Sequence, residues 1–163
     1  MYKRQTQSHV VAYVYEHTHP IMKVELKHQN GFHSVISNDR GHHISIDTTS
    51  SEDPQGPSPM ELLLMGVAGC SSIDIVSILN KQKIKPHSLH IQVGGDRIKG
   101  QVPSLFTAIH AKVIATGDVP ADRLYRAAQL SFEKYCSVSK TLEHTATITF
   151  SVTVNDTRYE QED

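Results

Sequence analysis

Apolar residues fall on alternate positions at Met22, Val24 and Leu26 and again at Ile44 and Ile46, with Gln29-Asn30-Gly31 and Asn38-Asp39-Arg40-Gly41 between them. A period of two marks half-buried strands, and Asn and Gly supply turns, so this part reads as a β meander. Upstream, Tyr13, Val14 and Tyr15 suggest either one more strand or a loosely attached arm over residues 1–20. Residues 48–58 (TTSSEDPQGPS) hold Pro and Gly and almost nothing apolar, which marks the one plausible internal linker.

The period then changes. From Pro59 to Leu79, Met60, Leu62, Leu63, Leu64, Met65, Val67, Ala68, Ile73, Ile75, Val76, Ile78 and Leu79 cover nearly every side of a helix. Such a helix must be buried almost all round. Ser58 suits its N-cap and Pro59 its first turn, while Lys81, Lys83 and Lys85 before Pro86 suit its other end. Alternation returns at Leu89, Ile91 and Val93, where Gly94-Gly95-Asp96 predicts a bend or bulge, and at Ile109, Ala111 and Val113 after a turn over residues 100–103. A second helix is predicted over residues 121–134, with Leu124, Ala128 and Tyr135 on one side, joined by Val138 and Leu142 if it runs past Cys136. The last strand is the clearest: Ala146, Ile148, Phe150, Val152 and Val154 alternate with Thr and Ser.

Strands, buried helix, two strands, helix, strand gives an α+β fold with antiparallel sheets. One small sheet cannot cover a helix as apolar as residues 59–79, so a second subunit is expected to supply the rest, which makes the protein a homodimer. At 163 residues the chain is read as a single domain over 1–163. Its formal charge of -1 lacks the basic footprint of a nucleic-acid binder. No unbroken apolar run reaches a membrane span, and residues 1–8 lead into no signal-peptide stretch, so neither nucleic acid nor membrane is an expected partner and the cytoplasm is the expected location.

Candidate chemistry centres on two cysteines, Cys70 in Ala68-Gly69-Cys70-Ser71-Ser72-Ile73-Asp74 and Cys136 in Lys134-Tyr135-Cys136-Ser137-Val138. Two are too few for a disulfide scaffold, and in a reducing compartment such a pair is catalytic, metal-binding or buried. Taken singly, passive packing is the commoner fate of a free cysteine. Asp74 lies one helical turn after Cys70, and the hydroxyls of Ser71 and Ser137 flank the thiols; none is a cation, and a charged carboxylate beside a thiol disfavours the thiolate. If the second helix ends before Cys136 and a new one starts at Ser137, Cys136 sits near a helix N-terminus with Lys134 and Lys140 close in sequence.

Pro59-x-Glu61-Leu62-Leu63, then Ala68-Gly69-Cys70, then Tyr135-Cys136, resembles the OsmC/Ohr superfamily of osmotically inducible and organic hydroperoxide resistance proteins over about residues 21–155. The segments around Ser58, Cys70 to Leu79 and Glu133 to Val138 resemble its YhfA-like branch. The resemblance implies an OsmC-like fold with two central helices between sheets, an intertwined homodimer, and a thiol-dependent peroxidase that reduces small hydrophobic organic hydroperoxides in oxidative stress. It implies Cys70 as attacking thiolate, Cys136 as the resolving thiol, and a dithiol reductant, with no cofactor.

The resemblance also implies an arginine from an early strand and a glutamate ten positions before the attacking cysteine. Here Met60 holds the glutamate's place, and Lys27-His28-Gln29-Asn30-Gly31 stands where the arginine would align; Arg40, in a turn, is the nearest arginine. Glu61 is adjacent, but nine residues at about 100° each set it on the far side of the helix from Cys70 and about 13.5 Å along the axis. Glu61 can therefore approach only a partner's cysteine. These departures keep a second function open, a non-catalytic OsmC-like protein that binds a small molecule or senses redox state. The eleven histidines form no HExxH, and no CxxC occurs, so no metal site is expected. Gly94-Gly95-Asp96 matches no nucleotide-binding spacing.

Overall fold

The computed structural model describes residues 22–160. The suggested strand at Tyr13, Val14 and Tyr15 and the rest of the arm over residues 1–20 lie outside the described residues. Three strands, β1 (Val24–Asn30), β2 (His33–Asn38) and β3 (His43–Ile46), form an antiparallel sheet in the order β1-β2-β3. Gly41 closes the second turn at φ 82°, a left-handed conformation that glycine adopts without a steric penalty.

The stretch after β3 is pinned rather than free. The buried carboxylate of Asp47 accepts hydrogen bonds from the Thr48 amide (2.7 Å), the Ser51 hydroxyl (2.9 Å) and the Gln55 amide (3.2 Å). These donors, the Thr48 and Gln55 amides foremost, hold the carboxyl below its ordinary range against the opposing effect of burial. Gly56 then passes so close to the Ser45 carbonyl that no Cβ fits.

Helix α1 (Pro59–Lys81) begins with a complete capping box: the Ser58 hydroxyl accepts from the Glu61 amide, and the Glu61 carboxylate accepts from the Ser58 amide. Lys83, at φ 61°, ends the C-terminal turn. A four-stranded sheet follows, made of β4 (Ser88–Arg97), β5 (Phe106–Thr116), β6 (Thr147–Val154) and β7 (Thr157–Tyr159) in that order. β4 pairs with β5 in unbroken register through Gly94 and Gly95, and the shift comes later, between Asp96 and Arg97. Gly95 is required by packing, because a Cβ there would meet the Phe106 ring at 2.7 Å.

One ladder departs from the antiparallel expectation: β5 and β6 run parallel, because the chain crosses back through helices before β6 begins. Those helices are α2 (Ala121–Leu130) and α3 (Ser137–Leu142), joined by a wide π-turn over Ser131–Tyr135. The second predicted helix is thus divided, with Cys136 at the break.

The core lies between the four-stranded sheet and the helices. Val67, Ser71, Ile75 and Leu79, one stripe of α1, are fully buried together with Ala111, Val113 and Ala115 of β5, Leu124, Ala127 and Ala128 of α2, and Val152 of β6. Burying each large aliphatic side chain stabilises the fold by about 1.5–3 kcal/mol. Around the rest of α1 the all-round burial expected of it does not occur within one chain: Ile73 is 72% exposed and Met65 52%. By length and apolar composition α1 is also able to cross a membrane, and one stripe of it is fully buried within the chain.

Candidate active site: two thiols and a carboxylate

α1 carries Cys70 and Asp74 four residues apart, and four residues at about 100° each return to nearly the same face, about 6 Å along the axis. Opposite this face the chain leaves α2 through the π-turn, in which the Cys136 amide donates to the Ser131 carbonyl at 2.8 Å, a five-residue span. Gly66 of α1 lies 3.4 Å from Val138 of α3 at the position a Cβ would take, so the two helices approach closely one turn before Cys70. The result is a cluster in which the Cys70 sulfur, the Cys136 sulfur and an Asp74 carboxylate oxygen all lie within 4.8 Å of one another.

The two thiols sit in unlike surroundings. Cys70 is half-buried and Cys136 fully buried. Cys136 is the N-cap of α3, and its sulfur accepts from the Ser139 amide (3.4 Å) and the Ser139 hydroxyl (3.1 Å). Burial pushes the Cys136 thiol above its ordinary pKa, the Ser139 donors oppose this, and the neighbouring Cys70 thiol adds to the rise. Asp74 is half-buried and accepts from the Ser131 hydroxyl at 2.9 Å. A cavity of about 530 Å³ opens beside Asp74 and Tyr135, walled by Ile78 and Leu130 and bordered by Lys81.

The other residues singled out from the sequence have different occupations. Glu61 is held in the capping box, where the Ser58 amide (2.8 Å) and hydroxyl (2.7 Å) donate to its carboxylate and hold its pKa below the ordinary range. Ser71 faces the core, its hydroxyl donating to the Val67 carbonyl at 2.8 Å. Ser137 is exposed at the start of α3, and Arg40 is exposed in the β2–β3 turn. Met60 packs with Phe106, Ile109 and Ala146. Lys134 lies over the Tyr135 ring and Lys140 pairs with Glu143, so both lysines near Cys136 in sequence have other partners. Ser131 and Ser139, which donate to Asp74 and Cys136, carry no sequence signal beyond being serines near a predicted helix end.

A family described as OsmC-like protein matches residues 51–151. The protein YhfA of Escherichia coli K12 is 38% identical over 134 residues, which cover 82% of this chain and 98% of YhfA. The chain belongs to the OsmC-like family.

Structures of OsmC-like neighbours agree with the architecture. A crystal structure of a hypothetical protein from Aquifex aeolicus VF5 superposes with a TM-score of 0.71 at 28% identity, over 84% of this chain and 99% of that one. An organic hydroperoxide resistance protein OsmC from Legionella pneumophila superposes with a TM-score of 0.63 at 16% identity, over 83% and 98%. At that identity the likeness concerns the fold. Within the OsmC-like fold described here, α1 presents Cys70 and the α2–α3 break presents Cys136.

Proposed function

We propose that this OsmC-like protein reduces organic hydroperoxides by thiol chemistry, with Cys70 attacking and Cys136 resolving. One observation carries the reading: the two sulfurs, 66 positions apart in sequence, lie within 4.8 Å. The Cys70 thiolate attacks the terminal oxygen of ROOH, the O–O bond breaks, and the departing alkoxide takes a proton to give ROH and a Cys70 sulfenic acid. The Cys136 thiolate then attacks the Cys70 sulfur, hydroxide leaves and is protonated to water, and a disulfide forms. An external dithiol restores both thiols. A disulfide needs the two sulfurs at about 2.05 Å, so the pair must close from a separation of up to 4.8 Å.

The half-buried Cys70 suits the sulfur that meets substrate, and the enclosed Cys136, whose thiol burial pushes above its ordinary pKa, suits the one that waits. The cavity beside Asp74, apolar at Ile78 and Leu130, suits a small hydrophobic hydroperoxide. Two copies of the chain pair, in this reading, over the outer apolar side of α1, where Leu63, Met65, Ile73 and Val76 are uncovered, in a reducing compartment such as the cytoplasm. Purified protein supplied with a dithiol reductant consumes cumene hydroperoxide, and Cys70→Ser does not; equal rates for the two would reject the enzyme.

A second reading, a non-catalytic redox sensor, is favoured by the Asp74 carboxylate standing where a thiolate-stabilising cation would serve. It predicts one slow oxidation to a Cys70–Cys136 disulfide with no sustained turnover, so a time course with excess reductant separates the two.

A further inference from the structure

We propose that reduced Cys70, Asp74 and Cys136 form a Zn²⁺ site that masks the thiol pair. No metal site was expected from the ligand spacings, which match no zinc motif; the ligands converge only because α1 packs against the α2–α3 break. Their donor atoms lie within 4.8 Å of one another, and a tetrahedral zinc with Zn–S of about 2.3 Å and Zn–O of about 2.0–2.2 Å needs its donors about 3.5–3.8 Å apart, so the cluster is within about 1 Å of the spacing the metal asks for.

The surroundings supply what metal ligands need. The Ser139 amide and hydroxyl donate to the Cys136 sulfur, and the Ser131 hydroxyl donates to one Asp74 oxygen, leaving the other oxygen to coordinate. Outer partners of this kind fix ligand orientation and stabilise the anionic ligand forms. Two sulfurs select a thiophilic ion and disfavour Mg²⁺ and Ca²⁺, which take oxygen ligands at higher coordination number. Three protein ligands leave a fourth position for water, and one of the three, Asp74, lines the cavity described above. Among the described residues no histidine joins this group.

Binding is balanced by the loss of two thiol protons to solvent: Zn²⁺ plus two thiols and one carboxylate gives a Zn–(Cys)₂(Asp) centre of net charge -1. Each thiolate then donates one lone pair to the metal, which lowers its nucleophilicity. The bound form resists alkylation and oxidation, and a disulfide, which has no thiolates to offer, does not bind zinc. The site stands whether or not the protein turns over hydroperoxide.

The test is zinc titration of the reduced full chain against a chromogenic chelator, with iodoacetamide labelling in parallel. Expected are one Zn²⁺ per chain and at least about tenfold slower labelling of Cys70 in the zinc form. Asp74→Asn, nearly isosteric and half-buried, is expected to weaken binding about 10–100-fold, and Cys70→Ser to abolish stoichiometric binding. A cobalt–thiolate charge-transfer band on Co²⁺ substitution, present in the parent and absent in Cys70→Ser, reports sulfur ligation without relying on affinity. Zinc binding unchanged in Cys70→Ser, or no saturable binding by the parent, overturns the site. Each result is read on peroxide-free protein, so failure here leaves the peroxidase assay to be decided separately.

Discussion

Cys70 and Cys136 face each other across the same small gap, yet the chain treats them oppositely. Cys70 sits mid-helix on α1, a turn before Asp74, and is only partly covered. Cys136 sits where a helix has been broken, fully enclosed, with two donors from Ser139 on its sulfur. A continuous helix presents a side chain, whereas a helix break can both present one and supply donors from the turn that follows. The pair is therefore asymmetric by construction, one thiol partly open and the other enclosed, which is the contrast on which the proposed division into attacking and resolving roles rests.

The most severe way to break this asymmetry is to remove each sulfur in turn. Cys70→Ser is expected to lower hydroperoxide consumption by on the order of 10³-fold or more, since it removes the nucleophile. Cys136→Ser leaves the first event intact, so one equivalent of peroxide is reduced and dimedone traps a Cys70 sulfenic acid. If Cys136→Ser loses the first event as completely as Cys70→Ser does, the roles assigned from burial are wrong.

Next in size is the framework behind the pair. Leu79 is fully buried on the same α1 stripe as Val67, Ser71 and Ile75, and Leu79→Ala is expected to cost about 2–5 kcal/mol in urea unfolding. Ile73→Ala, on the outer side, costs far less if the chain is a monomer in solution. A loss comparable to that at Leu79, accompanied by a change in sedimentation coefficient, would identify that side as an interface between copies.

Much of the frame was legible in the sequence. Helical arithmetic alone puts Asp74 on the face of Cys70, and Ser58 followed by Pro59 predicts the observed start of α1. The sharing of that face with Cys136 was accessible only through resemblance, because contact between residues 66 positions apart leaves no local period. Ser131 and Ser139 stayed silent for a related reason: a buried serine that satisfies a sulfur or a carboxylate looks in sequence like any polar residue near a helix end. The parallel β5–β6 pairing could not be read from alternation, which is the same for either strand direction. β7 was missed because it is three residues long, reached by a turn with Asn155 and Asp156 at φ 47° and 64°. Glu61 is a carboxylate whose hydrogen bonds within the chain belong to the helix cap, a use that the family comparison alone did not suggest.

A finer probe of the contrast is Ser139→Ala, which removes the 3.1 Å hydroxyl donor from Cys136 and leaves the amide. About 1 kcal/mol of stability should be lost, together with slower disulfide closure in stopped flow, while the Cys70 sulfenic acid forms at its normal rate. Equal slowing of both steps would mean that Ser139 supports the whole cluster.

The smallest effect concerns acid and lies away from the thiols. The folded-state pKa of Asp47 is lowered, so its contribution to stability is complete above the ordinary carboxylate range and fades as pH falls through the lowered value. Thermal melts between about pH 6 and pH 3 should therefore show a smaller pH dependence for Asp47→Asn than for the parent. Peroxide consumption near neutrality should be equal in the two proteins.

The wide turn at Ser131–Tyr135 spends one residue more than an ordinary helical turn of the same chain direction. Deleting that residue would restore regular pitch and rotate everything downstream by about 100° around the axis, carrying the sulfur of Cys136 out of phase with α1 without altering any side chain. In this molecule the meeting of two sulfur atoms is therefore a matter of counting: the reading frame of a helix, rather than the chemistry of any neighbour, decides whether they see each other.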